Sequence, residues 1–405
     1  MLKESVFMFS KLFFLARVFK LLSLFIFLNI NFVISSVIAQ APKIVGLMAV
    51  RNEAQIIANS LQALSLYTDE IIVLDDASTD NTVAVVKSLQ VECHITKIIE
   101  KEHWYRDEPG DKNKLLAAGR AIGGTHFIML DADEIFTANL LENNLLKNKI
   151  LALKPGDKLT VTLINLWRSP DFYRYDSSVW SGCAADVIFC DDGKCAYDSA
   201  FLHTPRTPAD LVGTVYDLAL DDHIFDIQRS ITKQLNGCFF YGAIEHLDSF
   251  SNVQLERCLK DQLFNYHKAQ TEALDFCRVS FLHEGNYSSV SCHHRDFTAG
   301  LMHFQFVNWD NLLIKQAWYR CLEKIRDPNV NITEINRKYG ESKQELDLRC
   351  LPIPASWFIG YQNFLDKKVY LKAESWQKKQ VLQWFKQYGQ EFFKDLDIWD
   401  IDWAK

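Results

Sequence analysis

The chain has no excess of positive charge: 44 lysines and arginines face 51 aspartates and glutamates, a formal net charge of −7. Without a broad basic field, nucleic acid is not expected as a partner. A small anionic ligand stays open, because a few basic groups or a metal neutralise it locally. Nor is there a compact cysteine framework. The 10 cysteines suit an oxidising compartment but lack the close spacing of a disulfide scaffold. One pair, Cys190 and Cys195 around the turn-like DDGK, is placed to close a small hairpin loop. Global disorder is excluded as well: 48% hydrophobic and 13% aromatic residues suffice for one large core or two modest ones.

The N-terminus differs from the rest. Lys3, Lys11, Arg17 and Lys20 precede the charge-free run LLSLFIFLNINFVISSVIA, residues 21–39, which is long enough to span a bilayer. Two readings compete for residues 1–41, a cleaved signal peptide and a retained membrane anchor. Either way the basic flank stays inside and the remaining chain crosses over. Membrane association through this segment is therefore expected, in a Golgi-type lumen if the source is eukaryotic and in the cell envelope if bacterial.

From Lys43 strands and helices alternate. KIVGLMAV and EIIVLDD are continuous apolar runs, as in strands covered on both faces. Helical spacing follows each, over 52–66 and in TVAVVKSL after the capping residues of STDNT. A shorter strand over 94–99, a helix over 112–122 and a strand in THFIMLDADE complete a βαβαβαβ succession. Such a succession predicts an α/β fold, a mostly parallel sheet flanked by helices. Ligands of open parallel sheets sit beyond the carboxyl ends of the strands. Here those ends carry Arg51, Asn52 and Glu53, then Asp75 and Asp76, then Asp131 to Glu134. Three strands aim polar termini at one rim.

Asp131-Ala-Asp133 directly follows the apolar run FIML. Carboxylates at i and i+2 of a strand end project to one side and can hold a hard cation, Mg2+ or Mn2+, beside a diphosphate. An acid at the end of a strand, Asp75 or Asp76, can accept a hydrogen bond from an imide N–H. Lys112 and Lys114, at the start of a helix, suit a diphosphate. Arg120 on the same helix reads as part of a solvated face.

The stretches IVGLMAVRNEA, EIIVLDDASTDNT and GTHFIMLDADE, in this order and near these spacings, resemble the family 2 glycosyltransferases of the GT-A fold. The resemblance covers roughly 43–141, about a quarter of the chain. It implies a nucleotide-sugar donor, usually a uridine one, and a divalent cation. In its terms Val50 to Glu53 border the nucleotide, Asp76 or Asp75 meets the base, Asp131 lies near ribose and metal, and Asp133 binds the metal. His303 in LMHFQFVNW looks like the C-terminal histidine that completes the metal shell in several GT-A enzymes, and Lys315 follows it toward the diphosphate. Ala-Val-Arg stands where Pro-Thr-Tyr is frequent, so the aromatic contact to the base has no counterpart here. A nucleotidyltransferase, the nearest rival enzyme, wants a Gly-rich basic loop after the first strand, and RNEAQ is neither. A transferase-shaped binding protein without activity is the rival of another class.

An inverting transferase needs a base for the acceptor hydroxyl proton. Asp186, Asp222 and Glu284 qualify on residue type, and HTPRTP, with His203 and Arg206, reads as a loop on the acceptor side. The acceptor itself is a glycan, lipid or protein. The expected organisation is a catalytic core over 42–210 with a hairpin-rich middle region, then an insertion or acceptor region over 211–298. A return strand and helix over 299–326 and a C-terminal helical segment over 327–405, packed on the core, complete it.

Overall fold

A computed structural model describes residues 41–175, 178, 180, 181, 183–198, 203–218, 277–283, 286–292, 298–343, 345 and 348–404. The apolar run 21–39, most of the region expected as an insertion over 211–298 and the candidates Asp222 and Glu284 lie outside the described residues. No helix among the described residues is long and apolar enough to cross a membrane.

The first half is built as its apolar runs dictate. Strands β1 (Ile44–Val50), β2 (Glu70–Asp75), β3 (Ile95–Glu100) and β4 (His126–Leu130) lie in the order β3-β2-β1-β4, all parallel. Helices α1 (Ile57–Ser65), α2 (Thr82–Ser88) and α3 (Glu108–Ala121) connect them. Alternate strand residues serve opposite faces. Met48, Ile71, Val73 and Ile128 pack with Ile57, Leu61 and Leu64 of α1. Leu47, Ile72, Leu74 and Phe127 pack with Leu115 and Leu116 of α3. Gly119 lets α3 approach the sheet, since a Cβ there would meet the Phe127 ring at 2.4 Å. That helix begins four residues before the expected Lys112, because Asp107 accepts from Gly110 N at 3.1 Å and Pro109 occupies its first turn.

The sheet then continues past β4. The further strands are β5 (Glu134–Phe136), β6 (Lys158–Asn165), β7 (Phe172–Arg174), β8 (Cys183–Cys190), β9 (Val215–Asp217), β10 (Cys277–His283), β11 (Asn286–Cys292), β12 (Leu301–His303) and β13 (Cys350–Pro352). Beyond β4 the order runs β8-β6-β12-β5, with β9 beside β6. Pairings with β8 and β5 are antiparallel, whereas β12 and β9 pair parallel to β6, so the sheet is mostly parallel. The expected hairpins are met only in part. β8 does fold back on β6, but β7 meets the end of that strand only through a bridge between Leu166 and Tyr173 and pairs with β13, far along the chain. β9 carries the sheet beyond residue 210, and β10 and β11 form a two-stranded sheet of their own.

Helices α4 (Leu145–Leu151), α5 (Trp309–Arg326), α6 (Ile332–Lys338), α7 (Val369–Lys372) and α8 (Trp376–Tyr388) complete the fold. The C-terminal segment packs on the rest: Trp318 of α5 stacks on Trp384 of α8 with centroids 5.9 Å apart. Tyr361 is fully buried, its hydroxyl donating to Phe136 O at 2.9 Å and lying 2.7 Å from the Tyr67 hydroxyl. Two expectations are corrected. Cys190 and Cys195 are free thiols, and the Cys195 thiol donates to Asp191 Oδ1 at 3.2 Å. Arg120 is no idle surface group, because its guanidinium grips both Asp191 oxygens at 2.8 and 2.6 Å.

Candidate active site

The carboxyl ends of β1, β2 and β4 open on a cleft of about 570 Å3. Loop residues 203–206 line it too, as do Lys315, Trp318 and Tyr319 of α5 and Trp376 of α8. Asp76, Lys112, Asp131, Asp133, Glu53 and Asp186 all reach it.

Asp133 sits beside a histidine because β12 pairs antiparallel with β5, bringing His303 opposite Glu134. His303 Nε2 lies 3.6 Å from Asp133 Oδ2, and Lys315 Nζ lies 3.9 Å from the same oxygen. Burial pushes the Asp133 carboxyl up, but Lys315 and His303 together hold it well below the usual carboxylate range. The other ring nitrogen is committed. Asn165 gives its Nδ2 to Trp180 O at 2.7 Å, which leaves Oδ1 to accept from His303 Nδ1 at 3.0 Å. With Nδ1 donating to Asn165, Nε2 is the ring atom turned toward the carboxylate oxygen. Two electron-rich atoms in that position need a proton or a cation between them, so the donor set fits a divalent ion.

Asp131 has a different partner. Arg206 bridges Asp131 Oδ2 at 2.8 Å and Glu134 Oε1 at 2.5 Å. Glu134 has no exposed surface, and it also accepts from Asp131 N at 3.0 Å. Burial raises the Glu134 carboxyl, with Arg206 opposing the rise. Burial also disfavours the charge on Arg206, yet Glu134 and Asp131 keep its pKa above that of an ordinary arginine. The bridging loop is fastened to α3: Thr204 N donates to Glu108 Oε2 at 2.8 Å, and Lys112 Nζ donates to the carbonyls of Thr204 and Pro205 at 2.5 and 3.1 Å.

The adjacent aspartates of β2 divide the work. Asp75 is buried and caps its own turn by accepting from Ser78 N at 2.9 Å. Asp76 faces the cleft, its carboxylate 2.5 Å from Lys101 Nζ. Asn52 accepts from Thr79 N at 2.6 Å and borders smaller neighbouring pockets, so it joins the β1 and β2 ends to each other. Glu53 does reach the cleft, and burial, with Asp133 adding to it, raises its carboxyl to about 8. Lys114 does not line the cleft and instead donates to Asp111 Oδ1 and the Tyr105 hydroxyl, each at 3.1 Å. Positions two apart on a helix point about 200° apart, so Lys112 and Lys114 cannot serve one ligand.

Asp186 is the one base candidate among the described residues. It lies on β8 opposite Thr160 of β6, whose hydroxyl donates to it, near the strand end that carries Asp131. Asn165 was not foreseen as part of the site, Glu134 was read only as part of the polar rim, and Arg206 only as a loop residue. Glu134 stood in plain view within DADE.

The rim of this α/β sheet thus gathers carboxylates and lysines in one cleft, with His303 directly behind Asp133. Residues 47–147, about a quarter of the chain, match the family model described as Glycosyl transferase family 2, so this stretch is similar to the domains of that family. No curated protein matches the sequence. Among solved structures, TarS of S. aureus is 14% identical over 55% of this chain and 43% of its own, with a TM-score of 0.29. Mannosyltransferase PcManGT of Pyrobaculum calidifontis, solved with GDP-Man and Mn2+, is 18% identical over 47% of this chain and 61% of its own, TM-score 0.28. Glucosyl-3-phosphoglycerate synthase of Mycobacterium tuberculosis, solved with Mn2+, UDP and glucosyl-3-phosphoglycerate, is 22% identical over 31% and 44%, TM-score 0.23. The chain spans less than two thirds of each of these three proteins.

Proposed function

We propose that the chain moves a sugar from a uridine diphosphate sugar to an acceptor hydroxyl, with inversion and with a divalent cation. The observation that carries this reading is His303 Nε2 lying 3.6 Å from Asp133 Oδ2, with Asp133 lining the same cleft as Asp76 and Asp186. His303 and Asp133 would hold the ion, with the oxygen of Asp131 that Arg206 leaves free. Mn2+ suits a histidine ligand better than Mg2+ does. Once bound, the ion offsets the charge of the departing diphosphate.

The chain's own groups do the rest. Asp76 accepts from the imide N–H of uracil. Lys315 and Lys112 supply positive charge along the diphosphate. Asp186 takes the acceptor hydroxyl proton as the oxygen attacks the anomeric carbon. The new bond to that carbon forms while its bond to the diphosphate oxygen breaks, and uridine diphosphate leaves with the electron pair. The acceptor is a glycan, lipid or protein, and the apolar run 21–39 would keep the enzyme at a membrane.

Calorimetry with UDP, GDP and CDP, each with and without Mn2+, tests the donor side. UDP is expected to bind tightest and only with the metal. Equal binding of the three nucleotides, or UDP binding indifferent to Mn2+, would sink it. Release of UDP from a UDP-sugar panel then reads the activity.

A further inference from the structure

The turn that presents Asp76 is strained. Ala77, directly after it, has φ +54°, a left-handed conformation that a residue with a Cβ adopts at a cost. Its carbonyl and that of Asp76 both accept from Arg51 Nη1, the former at 2.5 Å. Arg51 is itself gripped: its guanidinium carbon lies 5.2 Å from the ring centroid of Trp104 and 5.2 Å from that of Trp376. A planar cation with aromatic rings within such reach is held in orientation as well as in place. Trp318 of α5 backs the assembly, with centroids 6.4 Å from Trp104 and 5.4 Å from Trp376. Trp376 opens α8, more than 300 positions from Arg51 in the sequence.

From this chain of contacts we infer that Arg51 is a positioning residue for the nucleobase subsite, and that Trp376 of the C-terminal segment sets its geometry. The inference rests on the reading that the base meets Asp76. Trp376 and Trp104 orient the guanidinium, the guanidinium holds the strained Asp76–Ala77 turn, and the turn delivers the Asp76 carboxylate to the imide N–H. Lysine at 51 keeps the charge but loses the plane that two rings grip and that reaches two carbonyls. The C-terminal segment is thereby part of nucleotide recognition and not merely packing.

The experiment measures UDP and pyrophosphate affinity by calorimetry in saturating Mn2+, using the full chain and its Arg51→Lys, Trp376→Ala and Trp376→Phe variants. UDP affinity should fall by about tenfold or more in Arg51→Lys and Trp376→Ala, the loss of one ordinary hydrogen-bond contact. Pyrophosphate, which has no base, should bind all four proteins alike, and Trp376→Phe should restore most UDP affinity. Parallel loss of pyrophosphate binding would overturn the inference, since it would mean a direct phosphate contact or a general structural defect. Unchanged UDP affinity would overturn it too. Wild-type protein binding UDP no tighter than pyrophosphate is a separate result and removes the underlying reading of Asp76.

Discussion

His303 Nε2 and Asp133 Oδ2 face each other across 3.6 Å, while Asn165 occupies the opposite nitrogen of the ring at 3.0 Å. The amide dictates which nitrogen keeps the proton, so it governs whether the histidine can be a ligand at all. Partners of this kind typically change metal affinity by about 10–100-fold.

Asn165→Leu should therefore weaken Mn2+ by about that range, whereas Asn165→Asp, which still accepts from Nδ1, should retain it. Asp133→Ala should lose more than either, upwards of about 100-fold, because it removes the proposed ligand and not its support. Mn2+ titration followed by electron paramagnetic resonance reads all three without needing turnover. Identical affinities across the set would leave His303 a core residue.

How much of this was legible in advance follows from what each residue depends on. Strands β1, β2 and β4 could be read because they are buried on both faces, and continuous apolar runs ending in acids carry that signal locally. Asp133 and Asp76 came with them. The choice of Asp76 over Asp75 rests on which one the Ser78 amide captures, a turn detail below the reach of pattern. Asn165, Arg206 and Trp376 lie on β6, the loop at 203–206 and α8, and only long-range pairing brings those elements to the rim. Nothing in the periodicity near Trp376 marks it as a neighbour of Arg51. The β7–β13 pair escaped for the same reason.

Asp186→Asn should cut transfer by about 10²–10⁴-fold, the usual contribution of a positioned base. UDP affinity should stay at the wild-type value, since the amide keeps the size and can still accept from Thr160. Single-turnover transfer beside UDP calorimetry separates the two effects. Full activity in the variant would move the base to Asp222, Glu284 or another group.

Glu53 makes stability depend on pH in a defined direction. Its carboxyl is raised to about 8 by burial and by Asp133, whereas an unfolded glutamate titrates near ~4.3. Between those values the folded chain holds a proton that the unfolded chain has released, so stability falls as pH rises through the window. Glu53→Gln should flatten that slope and raise Tm at pH 8 relative to wild type, with little change at pH 4. Thermal scans in EDTA across this range check it, and parallel curves for the two proteins would contradict it.

Arg206 and Glu134 yield the sharpest stability test, because one partner has no exposed surface. Removing the guanidinium by Arg206→Met leaves a buried carboxylate without its cation, a loss of about 3–5 kcal/mol for pairs of this kind. Glu134 has a way out that most buried acids lack: its pKa is already raised by burial, and without Arg206 to oppose it the rise grows. The folded variant should then take up a proton that the unfolded chain releases near ~4.3. Its stability is accordingly lost as pH climbs through that window, and the deficit against wild type should be small at pH 5 and large at pH 8. Adding Glu134→Gln removes the stranded charge, so the double variant should regain most of the lost stability at pH 8. Denaturant melts of the four proteins at both pH values form a double-mutant cycle, and a coupling near zero at pH 8 would show that Arg206 is held by its loop alone.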